Sequence, residues 1–137
     1  MTDLYNRDIL HLSATIGHTE RLENPDMTVS KNSRICGSKI TIDVTLKDGV
    51  ITQYGQEVKA CALGQASAAI VSEHAIGLDR DSFIPIANAF EAMVTSGTAL
   101  PGGAWAKLSL LASVKDHPSR KGSVMLPFEA LREIFGA

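Results

Sequence analysis

Cys36 and Cys61 are the two cysteines of the chain. A thiolate is both a nucleophile and a ligand for soft metals. A cysteine pair therefore admits metal binding, sulfur transfer or dithiol–disulfide exchange. It also admits two unrelated buried thiols that do no chemistry. Where thiols stay reduced, paired cysteines serve metal or redox chemistry more often than structural disulfides. No Cys-x-x-Cys motif gives a two-cysteine redox protein direct support.

The elements around the cysteines decide between these readings. Ile40, Ile42, Val44 and Leu46 alternate with Lys39, Thr41, Asp43 and Thr45, the period of a half-buried strand. Asp48-Gly49 then supplies the dipeptide of a type I′ turn, whose two central residues need positive φ. Val50 to Lys59 returns as the partner strand, with Val50, Tyr54 and Val58 on one side. Continued without a bulge, this register sets Cys36 opposite Cys61 at the far end of the hairpin, which favours a shared site. Cys61 also precedes a run of small residues, Ala62, Gly64, Ala66, Ser67, Ala68 and Ala69, read as a helix stopped by Gly77. The free N–H groups and partial positive charge of a helix start favour thiolate over thiol.

Tyr5, Ile9 and Leu12 predict a short amphipathic helix over residues 4–12, ended by Gly17. Residues 21–26 read as loop, and Met27-Thr28-Val29 as a short first strand. Asp79 or Asp81 caps a helix carrying Phe83, Ile86, Phe90 and Met93, with Pro85 in its first turn. Trp105, Leu108, Leu111 and Ala112 mark another helix, broken at Asp116-His117-Pro118-Ser119. Pro127, Phe128, Leu131, Ile134 and Phe135 mark a terminal helix with Pro127 near its start. Strands followed by a run of helices predict an α+β fold, a small antiparallel sheet with helices packed on it, as a single domain over residues 1–137.

Composition excludes several classes. Net charge is −2 and aromatic residues make up 5%, so nothing suggests a basic stripe for nucleic acid or a polybasic membrane patch. No apolar stretch is long enough to span a bilayer, and the first residues lack a signal peptide's order. The cytoplasm is the expected compartment. There is no P-loop, H-E-x-x-H or G-x-S-x-G, so no enzyme active site or catalytic residue is expected.

Cys36-Gly37-Ser38, Asp48-Gly49-Val50-Ile51 and the block from Ala60-Cys61-Ala62 to Ala68-Ala69 resemble the NifU/IscU-like scaffold family. That family carries Cys-Gly-Asp before a hairpin, then Gly-Cys and a small-residue helix. Pro118-Ser119-Arg120-Lys121-Gly122-Ser123 is similar to the segment holding the third cysteine in its SufU-like branch. The resemblance implies a scaffold that accepts sulfur from a cysteine desulfurase and passes clusters to recipient apo-proteins. It implies three cysteines and one aspartate as ligands of a transient iron–sulfur cluster, or of zinc. In that pattern Cys36 and Cys61 match the first two cysteines, so both are expected cofactor and metal ligands. Ser38 stands at the aspartate position and Ser123 at the third cysteine.

Neutral hydroxyls are poor ligands for soft metals, so the site would need completion by a partner or second subunit. His117 is the nearest replacement candidate, against an ordinary histidine in a helix-terminal turn. His74 is expected at the surface. Departure from the ligand set leaves an alternative: a partner-binding or regulatory module that keeps the fold and holds no metal. The two-cysteine redox protein is the second alternative.

Overall fold

The computed structural model describes residues 6–35, 37–100 and 102–137. Tyr5 and Cys36, named above, and the first two residues of the helix expected over residues 4–12 lie outside the described residues. Strands β1 (Met27–Asn32), β2 (Lys39–Lys47) and β3 (Val50–Lys59) form an antiparallel sheet in the order β1-β2-β3. Asp48 and Gly49 have φ of 54° and 79°, the two positive values a type I′ turn requires. The first strand runs three residues beyond Val29, because Ser30, Lys31 and Asn32 pair with Thr41, Ile40 and Lys39.

The return strand departs from the even alternation read in the sequence. A bulge between Thr45 and Leu46 shifts the register, so Leu46 faces Ile51 while Thr45 faces Gln53. One extra residue reverses side-chain parity across the bulge. Ile51 is therefore in the core and Val50 only half-buried. The last rung pairs Lys39 with Lys59. Continuing that rung would set Cys61 across from Gly37, one place from the register expected in the unbulged hairpin.

The described residues form four α-helices, α1 (Arg7–Ala14), α2 (Ala62–Ala75), α3 (Arg80–Ser96) and α4 (Lys121–Phe135); α2 and α4 pack on the sheet, α1 packs on α2, and α3 packs on α4. Asn6 caps α1 by accepting a 2.9 Å hydrogen bond from the Ile9 amide, and Asp79 caps α3 through Ser82. The first helix thus ends at Ala14, before Gly17. The stretch Ala106–Asp116 is a 3₁₀-helix. Its buried residues Leu108, Leu111 and Val114 recur every three positions, the period of that helix. Pro127 does not start the last helix but lies inside α4, six residues after Lys121. Ile40, Ile42 and Val44 form the sheet's part of the core, and Phe83, Phe90 and Phe128 fill the space between α3 and α4. The rings of Phe90 and Phe128 stack at 4.5 Å.

The opposite sheet face is crossed by the segment after α1. Gln56 N–H donates to the His18 carbonyl at 2.8 Å. Gly55 has no side chain where the Glu20 carbonyl passes, and a Cβ there would collide with it. Beyond that crossing, Arg21 and the Leu22 amide reach Asp43.

Candidate functional site

Three separate elements meet at one end of the hairpin. The turn between β1 and β2 closes with Ser33 N–H donating to the Ser38 carbonyl at 2.8 Å, and Gly37 N–H to the Ser33 carbonyl at 2.9 Å. Gly37 has φ of 68°, a conformation natural to glycine. Cys36 precedes Gly37 in the sequence and lies outside the described residues. Cys61 is the N-cap residue of α2. Ser123 comes from the first turn of α4. Its Oγ lies 3.2 Å from Ser38 Oγ and 3.6 Å from Cys61 Sγ. The two serines are buried while Cys61 stays partly accessible.

Gly64 makes this meeting possible. A Cβ at that position would collide with Ser123 Oγ and stand 2.7 Å from the Ala60 Cβ. The helices are clamped just above by Ser67, whose hydroxyl donates to the Val124 carbonyl at 2.6 Å. Pro127 has no N–H to give to the Ser123 carbonyl four residues earlier, so the α4 backbone is also altered at the site. In the sequence Gly64 is one small residue among several. A glycine inside a helix costs about 1 kcal/mol relative to alanine, and that cost was the available signal of a close contact.

Burial works against ionisation of Cys61. The amides of Gly64 and Leu63, the Ser123 hydroxyl and the charge of Arg120 outweigh it, holding the thiol below its ordinary value. No capping hydrogen bond of usual geometry reaches the sulfur, so the amides act mainly as oriented dipoles. The expected result is that Cys61, alone in a Cys36→Ser variant, alkylates with a pH midpoint below the usual thiol value of about 8.5. Ser123→Ala should move that midpoint upward, and an unchanged midpoint would remove the serine's part. The pH dependence of iodoacetamide labelling measures it.

His117 is exposed, at the end of the 3₁₀-helix and beside Pro118. Among the described residues, no group of three or more histidine, cysteine, aspartate or glutamate residues is placed to hold a metal. His74 is not the surface residue expected. It is half-buried, its ring 4.5 Å from that of Trp105, because the small residues of α2 let the 3₁₀-helix pack close. Trp105 is only partly buried, packed against the core's margin. No helix among the described residues is long and apolar enough to cross a membrane.

A partly accessible cysteine at a helix start, backed by buried hydroxyls from two distant segments, marks the candidate site of a small α+β protein. No protein-family model matches the chain. The fold superimposes on the N-terminal part of a nitrogen-fixing NifU-like protein from Brucella abortus with a TM-score of 0.90, at 32% identity over 95% of this chain and 90% of that one. The chain belongs to the NifU-like family. It is also 24% identical to the iron–sulfur cluster assembly scaffold protein IscU of Thermotoga maritima, over 95% of this chain and 91% of that protein. A protein from Fervidobacterium islandicum AW-1, assigned as an iron–sulfur cluster assembly scaffold for the SUF system, shares the fold. Its TM-score is 0.86 at 23% identity, covering 96% of both chains.

Proposed function

We propose that this chain is a scaffold for iron–sulfur cluster assembly, with Cys36 and Cys61 as its thiolate ligands. The observation that carries the reading is the convergence on Ser123 Oγ of Ser38 Oγ, at 3.2 Å, and Cys61 Sγ, at 3.6 Å. Ser38 and Ser123 stand where the family has its aspartate and third cysteine. Segments far apart in sequence thus converge where a ligand set is expected, and the second cysteine is among them. The names of the relatives in Thermotoga maritima and Fervidobacterium islandicum support the same role. It is that of a carrier rather than an enzyme.

The cluster is cargo, and its sulfur comes from a cysteine desulfurase. Cys61 thiolate attacks the outer sulfur of the donor's persulfide. One S–S bond forms on Cys61, the donor's S–S bond breaks, and the donor cysteine leaves as thiolate, with no net electron transfer. An external two-electron reductant must bring that sulfur to sulfide before it joins iron, and a finished cluster then passes to recipient apo-proteins. Zinc suits the same thiolates as an alternative occupant. The chain works as one unit over residues 1–137 in the cytoplasm, where thiols stay reduced.

One observation favours a second reading. Ser38 and Ser123 hydrogen-bond to one another and are buried, so neutral hydroxyls fill two positions where the family has anionic ligands. A partner-binding module that keeps the fold without stable metal fits that exchange. Anaerobic reconstitution with ferrous iron and sulfide separates the two. The scaffold reading expects iron and sulfide in fixed proportion to protein, lost in Cys36→Ser and Cys61→Ser. Substoichiometric iron and zinc together would leave the partner-binding module. A thiol count that falls under air and recovers with reductant would instead favour the redox protein.

A further inference from the structure

We infer that the outer edge of β1 is a docking site for an extended acidic segment of a partner protein, which adds to the sheet as a fourth strand. A sheet in the order β1-β2-β3 has two edges, and the fold closes only one of them. On β3, Ile51 N–H donates to the Leu78 carbonyl at 2.9 Å, and the Ile51 carbonyl accepts from Gly77 N–H at 2.8 Å. Gln56 N–H is taken up by the His18 carbonyl. On β1, among the described residues, no backbone hydrogen bond reaches the outer side of Met27–Asn32. The pairing shows which groups are left over. Ser33 N–H donates inward to the Ser38 carbonyl, and inward-bonded and outward residues alternate along an antiparallel edge. Val29 and Lys31 therefore bond to β2, while Thr28, Ser30 and Asn32 turn their N–H and C=O groups outward. All three residues are exposed. Their spacing of about 6.8 Å is the one at which an added strand presents its own donors and acceptors.

The surroundings of this edge select the partner. Beside its last residues is a groove of about 360 Å³, lined by Lys31 from one sheet face and Asn32 from the other. Met125 and Leu126 of α4, both buried, supply its apolar surface, and Glu91 of α3 also lines it. Its size is that of a small-ligand pocket, room for a few side chains and not for the edge of another folded domain. An added strand points alternate side chains to opposite faces. Those on the α4 side enter the groove and meet Met125 and Leu126, so they are apolar. Those on the other side lie next to Ser30 and Asn32, where Lys39 pairs with Asn32 and Arg34 follows the strand. Charge on this side is unbalanced. Arg132 holds Glu91 at 2.9 Å and Glu129 at 2.8 Å, and Lys31 holds Glu133 at 2.6 Å. Lys121 keeps only a 3.7 Å contact with Glu91. Arg34 and Lys39 are exposed and, among the described residues, in no salt bridge with a carboxylate. The segment that fits therefore alternates apolar and acidic side chains.

The test uses the full chain and a synthetic peptide, Glu-Val-Glu-Leu-Glu-Val-Glu, blocked at both ends. Titrated into isotopically labelled protein, the peptide is expected to shift the amide signals of Thr28, Ser30 and Asn32 and to slow their exchange with solvent. The same peptide N-methylated at alternate backbone positions keeps every charge and side chain. It is expected to bind about tenfold more weakly or worse, as lost backbone hydrogen bonds require. Lys39→Glu is expected to weaken the unmodified peptide by about tenfold, and replacing the peptide's glutamates by lysines by at least about as much. Ser30→Pro removes one outward N–H and leaves the bonds to β2 in place. It too is expected to weaken binding, with the signals of α2 and α4 unmoved. Equal affinity for the N-methylated peptide would reduce the contact to charge attraction and overturn strand addition. Equal affinity for the lysine peptide would overturn the acidic partner. Edge signals that move with protein concentration alone, with a doubled mass by light scattering, would assign β1 to a second copy instead. A peptide that leaves the edge amides unmoved would overturn the docking site altogether. None of these outcomes depends on iron loading, so this surface and the scaffold reading stand or fall separately.

Discussion

Gly64→Ala is expected to destabilise the protein by about 1–3 kcal/mol and to disturb the environment of Cys61. In a solvated helix the same change would stabilise by about 1 kcal/mol, because alanine loses less backbone freedom than glycine. Here the new Cβ would collide with Ser123 Oγ, lie 2.7 Å from the Ala60 Cβ and sit 3.4 Å from the Ser123 carbonyl. Ala60 is fixed by the chain leaving β3, and Ser123 is fully buried. Neither can retreat without moving α2 away from α4, so the steric term exceeds the propensity gain. Ser123→Ala removes the most obstructive atom. The double variant is therefore expected to recover part of the loss, a non-additivity that a double-mutant cycle in urea reads directly. Simple additivity would mean that the two positions are not in contact in solution. A gain in stability for Gly64→Ala alone would mean that α2 and α4 stand further apart than described.

The same residues show where sequence was sufficient. Asp48-Gly49 determines its turn through local backbone preference, and Cys61 becomes an N-cap because a small-residue helix follows at once. Each depends on only a few neighbouring positions. The bulge near Thr45 depends on how β3 must satisfy two constraints. Ile51 has to reach the core, while Tyr54, Gln56 and Val58 stay on that same face. No single residue type signals that compromise. The common position of proline is at a helix start, which is where local preference alone would put Pro127. The structure puts it inside α4, where tertiary packing of Met125, Leu126 and Phe128 overrides the local preference. The stripe from Trp105 to Leu111 fits α- and 3₁₀-helices alike, since both tolerate spacing by three.

The candidate site itself was only half legible. Ser38 and Ser123 lie 85 positions apart, and no spacing rule joins them. Their contact was expected solely because both fall on positions of a known ligand pattern. The part played by Gly64 had no such pattern behind it and came only with the close packing of α2 on α4. Resemblance thus located where ligands should stand. The packing adds that two of those positions hold hydroxyls hydrogen-bonded to each other.

Asp43→Ala is expected to have the largest effect on folding, about 3–4 kcal/mol. This carboxylate is fully buried yet every approach to it is by a donor. Arg21 Nε reaches Oδ2 at 2.6 Å and Nη2 reaches Oδ1 at 3.0 Å. The Leu22 amide donates to Oδ2 at 3.0 Å, and Thr28 Oγ1 to Oδ1 at 2.6 Å. Burial alone would favour the neutral acid. The hydrogen bonds from Arg21, Thr28 and Leu22, with the guanidinium charge, outweigh it and hold Asp43 below the ordinary carboxylate range. Truncation leaves Leu22 N–H and the Thr28 hydroxyl without their acceptor and frees the segment that crosses Gly55. Arg21→Ala is expected to cost less, about 1–2 kcal/mol, because Arg21 is 46% exposed and water replaces it from the open side. The pH dependence follows from the direction of the shift. A carboxyl that is more acidic folded than unfolded contributes its stability above the unfolded value of about 3.9. That contribution is lost as pH falls through the folded value. Wild-type stability, measured by urea unfolding, should therefore fall steeply below about pH 4. Asp43→Asn should lower the plateau at neutral pH and flatten that acid limb. Parallel curves for the two proteins would show that Asp43 is not the group whose protonation releases the fold.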